Sequence, residues 1–320
     1  MNDLRQLWNS LPHKAAFAVV FGSWIALFHL LGCASSADGP SLFNWLYVYY
    51  QTPTAAGLDS GDALCPWIPF LAAVLFWLKR SEIVAVSKAP WTPALGLIGL
   101  GLALHYCGFV VQQSRVSIVG FLLGGFGVLG LVWGRAFLKI ALFPWFLLLF
   151  AIPVDAYTDA LTFHLRLLAT HVSVFVCHDL LGMGLIQQGT VIHYPASAFS
   201  PGFTFEVAAA CSGIRSASVT LLITLVFAYL NLRSFWRRLI IVLSAVPLAL
   251  FGNIFRLVVV FMVADTFGQA AGKRIETNFG FVTYAGAMIG VFVLGKLLRE
   301  HPVEPGPDNP PVANPESLPA

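Results

Sequence analysis

The segment EVAAACSGIRS, residues 206–216, sets one thiol among small side chains, with a carboxylate five residues before it and a guanidinium four residues after it. Ala208, Ala209, Ala210, Ser212 and Gly213 leave the Sγ of Cys211 uncrowded, which a carbonyl carbon needs if it is to reach the sulfur. The chemistry such a cysteine could do is acyl transfer through a thioester, with the thiolate as nucleophile. Two residues further along could serve it: Arg256 in GNIFRLVVV and Asn278 in RIETNFGF. A fixed cation beside a thiol either lowers its pKa or stabilises the oxyanion formed on attack, and the residues alone leave both roles open. A carboxamide orients and hydrogen-bonds but moves no proton at neutral pH. Glu206, Ser212 and Arg215 flank the cysteine and are candidates for binding the substrate. Plainer readings stand beside these. A membrane cysteine packs as a small apolar group, small residues close a helix interface, an arginine snorkels to headgroups, and an asparagine caps a helix. What favours catalysis is the arrival of all three groups at one level.

That level follows from the elements that must carry them. The chain has 320 residues, of which 58% are hydrophobic and 10% charged, whereas a soluble domain carries about 25% charged residues. Several apolar runs reach the ~20 residues that a bilayer-crossing helix needs. The expectation is an all-α, polytopic membrane protein with about eight crossings, near 15–34, 64–78, 92–112, 116–134, 137–154, 207–230, 238–262 and 279–298. Residues 157–181 have helical periodicity but carry charge and histidine, so they are expected to lie along the interface. The stretch 183–206 reads as a short hairpin or irregular polar loop on the outer face. Residues 1–300 form one integral membrane domain, and 301–320, HPVEPGPDNPPVANPESLPA, a proline-rich tail without the means to bury a core. No cleavage signature follows the first apolar run, which is read as a retained helix.

Loops rich in Lys and Arg stay in the cytoplasm. With both termini inside, the inner segments hold Arg5, Lys14, Lys79, Arg80, Lys88, Arg135, Lys139, Arg233, Arg237, Arg238, Lys296 and Arg299, two thirds of the chain's 18 Lys and Arg. Counting 157–181 as a ninth crossing would move the RSFWRR cluster outside, which argues against it. Cys211 then lies about one turn into an inward-running helix. Arg256 lies roughly 27 Å along an outward-running one, at 1.5 Å per residue, and Asn278 at the outer entrance of the last. The five cysteines show no metal-type spacing, so no metal and no cofactor is expected. The net charge of +3 is scattered and forms no nucleic-acid patch. A transporter component remains an alternative, since intramembrane arginines also line ion paths.

The run FTFEVAAACSGIRS, the GNIFRL some 40 residues later and a polar residue about 20 further on resemble the exosortase/archaeosortase family of membrane-embedded, sortase-like cysteine proteases and transpeptidases. The resemblance covers roughly 60–298 and includes FPWFLLLFAIPVD, similar to the family's proline-bearing helix ahead of the cysteine. It implies Cys211 as nucleophile, Arg256 as its arginine and Asn278 at a third position that is most often histidine in exosortases. Ala209 stands where an acidic residue is common. It further implies, as substrates, exported proteins with a C-terminal signal made of a short motif, a hydrophobic helix and a basic tail. Cleavage would occur at the outer side of the inner (cytoplasmic) membrane, with release to water or to an acceptor. A scaffold that binds such signals without cutting them is the other reading within the family.

Overall fold

The structure is a computed structural model and describes residues 9–33, 39–51, 65–153, 155–195, 202–207, 214–278 and 280–298. It is built almost wholly of helices, as expected. In chain order these are α1 (Lys14–Leu30), α2 (Leu42–Gln51), α3 (Ile68–Leu78), α4 (Arg80–Ala85), α5 (Ala94–Val110), α6 (Ser114–Phe146), α7 (Asp155–Phe175), α8 (Ile214–Asn231), α9 (Phe235–Leu243), α10 (Ala245–Phe267), α11 (Gln269–Asn278) and α12 (Gly280–Leu297). The tail 301–320 lies outside the described residues.

Two helical stretches, Ser114–Ala151 and Phe235–Phe267, are long and apolar enough to cross a membrane by length and composition, and five shorter apolar helices accompany them. The first stretch is two antiparallel arms. Gly134 interrupts it with φ 88° and ψ 175°, a conformation essentially reserved to glycine. The arms then fold together: Trp145 Nε1 donates to Leu122 O at 2.8 Å, although 23 residues separate them. The division expected at 116–134 and 137–154 is therefore placed at one glycine. A Cβ at Gly134 would also lie 2.1 Å from Ala89 O. Gly134→Ala should cost about 1–3 kcal/mol in backbone strain before the clash is counted. Its check is a fall in membrane-inserted protein and a lower temperature of aggregation in detergent.

Two buried indoles of the N-terminal half each donate to a main-chain carbonyl far away in sequence. Trp24 donates to Phe121 O at 3.1 Å and Trp133 to Pro12 O at 3.1 Å. Burying an indole requires such a partner. Between α5 and α6 the backbones nearly touch, for a Cβ at Gly101 would sit 2.7 Å from Gly120 O. Small residues permit this approach, which gives helices in lipid the packing that drives their association.

The C-terminal half holds the segments of interest. α8 packs against α9, α10 and α12, and α10 also meets α7, α11 and α12. α10 runs unbroken from Ala245 to Phe267 through Pro247 and Gly252. Pro247 sits in the first turn of α10, where a missing N–H costs nothing, and the break falls at Ser244, between α9 and α10. The stretch 183–206 carries a three-stranded antiparallel sheet, β1 (Ile186–Gln188), β2 (Val191–Tyr194) and β3 (Phe203–Glu206), in spatial order β1-β2-β3. Alternation supports it: Ile192, Tyr194, Phe205 and Val207 are buried, while Thr204 and Glu206 are exposed. Residues 157–181 are helical as expected, α7 continuing as a π turn over Val176–Leu180.

Candidate active site

Arg256 stands eleven residues from each end of α10, which runs from Ala245 to Phe267. What meets it there is α11. Gly268, with φ 86° and ψ 168°, reverses the chain in the same glycine-only conformation as Gly134. α11 then runs back along α10 so closely that a Cβ at Gly272 would lie 2.7 Å from Ala264 Cβ. Its sequence, QAAGKRIETN, is polar, so a polar helix lines the second half of an apolar one. The sequence pattern did not reveal this reversal, although Gly268 followed by a polar decad was its signal.

The guanidinium of Arg256 is anchored by that hairpin. Its Nη2 donates to the main-chain carbonyl of Glu276, two residues before Asn278, the last residue of α11. Arg256 thus lies beside the C-terminal end of α11, where Asn278 stands directly before α12 begins at Gly280, and the fold-back of α11 makes this meeting. The Nε of Arg256 is buried with no hydrogen-bond partner among the described residues. A buried donor left unmade costs about 1–3 kcal/mol, more when charged, so a fold that retains one holds a directed positive group. Asn253, one turn earlier on the same helix, is also buried.

Around this hairpin the sheet and α7 close a second wall. Tyr194 donates its hydroxyl to Phe261 O at 3.1 Å, and Gln269 Nε2 donates to Thr204 O at 3.1 Å. Ser173 Oγ lies 2.7 Å from Ala169 O and 3.4 Å from Ile254 O, fixing α7 against α10. Ala169, Cys177, Ile192, Phe205, Val207, Leu257, Val260 and Phe261 belong to one buried cluster. Burial, then the negative charges possible at Cys177 and Asp265, raises the pKa of Tyr194 and keeps it a donor.

The site residues expected from the sequence divide as follows. Arg256 is described in full. Glu206 ends β3 with its side chain exposed. Arg215 lies in the first turn of α8 and Asn278 ends α11, their backbones described and their side chains outside the described part. Cys211 and Ser212 lie outside the described residues, between Val207, which is fully buried in the cluster, and Ile214, where α8 starts.

A family model for the transmembrane exosortase matches residues 56–293. The chain belongs to this family. No curated protein and no solved structure matches it. As a transmembrane exosortase it carries the GNIFRL arginine on α10, against which the polar α11 packs. Four further cysteines lie among the described residues: Cys33, Cys65, Cys107 and Cys177. Cys33 Sγ lies 3.3 Å from Ser114 Oγ, and Cys65 Sγ donates to Phe150 O at 3.3 Å. Cys177, in the π turn outside the apolar spans, is fully buried, and burial followed by Asp265 pushes its thiol up to about 11. It is a packing cysteine. It should resist maleimide at pH 8 in the native protein and label fully after denaturation, as read by mass spectrometry. The sign of its pH linkage follows. An unfolded thiol ionises near 9.0 while the folded one holds its proton to about 11, so Cys177 withdraws stability as pH rises through that interval.

Proposed function

We propose that the protein is a membrane cysteine protease or transpeptidase that removes C-terminal sorting signals from exported proteins on the outer side of the inner membrane. The observation that carries this reading is the Arg256 guanidinium: anchored through Nη2 to the α11 backbone beside Asn278, it keeps its buried Nε without a partner among the described residues. That is the disposition of a cation serving a transient anion, since donors fixed in advance stabilise developing charge without reorganising.

In the mechanism, the Cys211 thiolate adds to the carbonyl carbon of the scissile peptide. The tetrahedral oxyanion collapses, the C–N bond breaks, and the amine of the departing hydrophobic tail takes up the proton that left the thiol. Water then adds to the thioester and releases a carboxylate and the thiol, or an acceptor amine adds and forms a new amide. Arg256 faces the thiolate or the oxyanion, and Asn278 orients Cys211 or the peptide. Glu206, Ser212 and Arg215 contact the substrate. No metal or cofactor enters any step. On the expected eight crossings with both termini inside, the end of α10 that meets α7 and the sheet faces outward. Arg237 and Arg238 mark the opposite, inner end of the α9–α10 unit; their guanidinium groups bond Leu298 O and Leu232 O.

The test compares the C-termini of exported proteins, by mass spectrometry, from cells making the wild type or Cys211→Ala. Hydrophobic C-terminal helices retained only with the variant support the reading; identical termini with the variant inserted normally overturn it. Asn278 in the place of the usual histidine favours one second reading, a scaffold that binds signals without cutting them, in which substrate is held but no shortened product appears.

A further inference from the structure

The strand that leads into Cys211 has one edge paired and one edge open. Val207 N–H donates to Thr190 O at 3.0 Å, and the β2–β3 register pairs Val191 with Glu206 and His193 with Thr204. In an antiparallel ladder alternate residues turn their backbone groups to opposite sides. Phe203, Phe205 and Val207 therefore face β2, while the N–H and C=O groups of Thr204 and Glu206 face outward. The side chain of Gln269 confirms the direction independently, since its amide donates to Thr204 O from outside the sheet. It occupies that carbonyl as a peptide N–H would. The Thr204 N–H and both main-chain groups of Glu206 have no partner among the described residues.

We propose that this outward edge of β3 is the docking strand for substrate: an extended segment of the exported protein, immediately before its hydrophobic helix, adds as a fourth strand beside Thr204 and Glu206. The inference rests on the peptidase reading and names how that site holds its peptide. Three observations favour this occupant. In sequence β3 directly precedes the cysteine segment, Glu206 standing five residues before Cys211, so the edge belongs to the part of the chain that leads to the nucleophile. The sheet is tied to the C-terminal half of α10 through Tyr194 and Phe261, the end at which a membrane-anchored tail would emerge. The opposite edge is poorer: by the same register only Gln187 of β1 faces outward, and its side chain folds back onto Gly189 O at 2.8 Å. Main-chain pairing supplies affinity independent of side chains, while alternate side chains of the added strand remain free to set specificity. Gln269 is the group that the incoming strand displaces from Thr204 O.

Proline tests this cleanly, because at an outward position it deletes a donor without touching the ladder. Glu206→Pro and Thr204→Pro each remove one outward N–H, and Gln187→Pro removes the corresponding N–H on the far edge. Exported-protein C-termini are quantified in cells making the wild type, Cys211→Ala and each proline variant, with inserted protein matched by immunoblot. The expected result is at least a ~10-fold rise in unprocessed termini for Glu206→Pro and Thr204→Pro, with Gln187→Pro within about twofold of wild type. Processing at the wild-type rate in both β3 variants overturns strand addition while leaving the peptidase standing. An equal loss in Gln187→Pro overturns it too, by showing a general effect on the sheet. Termini identical between wild type and Cys211→Ala remove the peptidase reading and this docking with it.

Discussion

Cys211→Ala should abolish the shortening of exported proteins, with a loss on the order of 10⁴–10⁶ in rate, the scale on which removing a covalent nucleophile acts. The more informative variant is Cys211→Ser. A serine hydroxyl attacks a carbonyl only when a base takes its proton, and no histidine occurs between Tyr194 and Glu300. In the proposed site Asn278 takes the place of such a base, and a carboxamide accepts no proton at neutral pH. A cysteine needs less help, because a cation alone can ionise it. Serine should therefore be as inactive as alanine, while an enzyme with a working base would retain measurable turnover. The measurement is the fraction of unprocessed substrate after a pulse and chase, with variants at equal membrane abundance. Residual processing by Cys211→Ser would mean that a base exists elsewhere and that thiolate attack without one is the wrong mechanism.

The legible part of this protein is the part written in composition and period. Apolar runs between basic loops mark the helices, and the pair 116–134 and 137–154 is separable where Arg135 and Lys139 follow the first run. The glycine that makes the turn was not singled out, since its role depends on a φ of 88° and on Ala89 lying across the chain from it. The sheet at 186–206 was half legible. Its alternation was visible, but three- and four-residue strands give too few periods to separate a sheet from an irregular loop. α11 was missed because a polar decad beside an apolar helix has the composition of a loop. It becomes a helix through close packing against α10 at Gly272 and Ala264, which no local propensity encodes. α2 was missed for a related reason: LFNWLYVYYQ is aromatic and too short to span a membrane. Its place is set by tertiary contacts, among them Arg115, whose Nε donates to Pro153 O at 2.6 Å while its guanidinium lies over Trp45 and Tyr49.

These misses bear on the site in one direction. Sequence reading brought Arg256 and Asn278 to a common depth by counting residues along straight crossings. The same meeting results from α11 folding back on α10, which also explains how a guanidinium near the middle of a 23-residue helix is accommodated. An unpaired arginine in a spanning segment costs a few kcal/mol on insertion scales. Here the Glu276 carbonyl takes one of its donors, and the charged residues of α11 bring a polar surround alongside.

The substitution of Arg256 should separate the two roles that the sequence left open. Arg256→Ala is expected to lower processing by about 10²–10³, the loss typical of one donor to an oxyanion. Arg256→Lys should recover little of it. The arginine divides its work between an Nη2 fixed on Glu276 O and an Nε free of that anchor; an ammonium is a single point and cannot hold both directions. Alkylation of Cys211 by iodoacetamide, followed across pH in each variant, then reads the thiolate directly. If Arg256 ionises the thiol, the alkylation profile moves to higher pH in Arg256→Ala in step with the lost turnover. If Arg256 serves the oxyanion, alkylation keeps its profile while turnover falls. A variant that alkylates and processes like wild type would remove Arg256 from the site. The Nε without a partner among the described residues would then be a cost of folding α11 onto α10, and the catalytic assignment of the hairpin would fall with it.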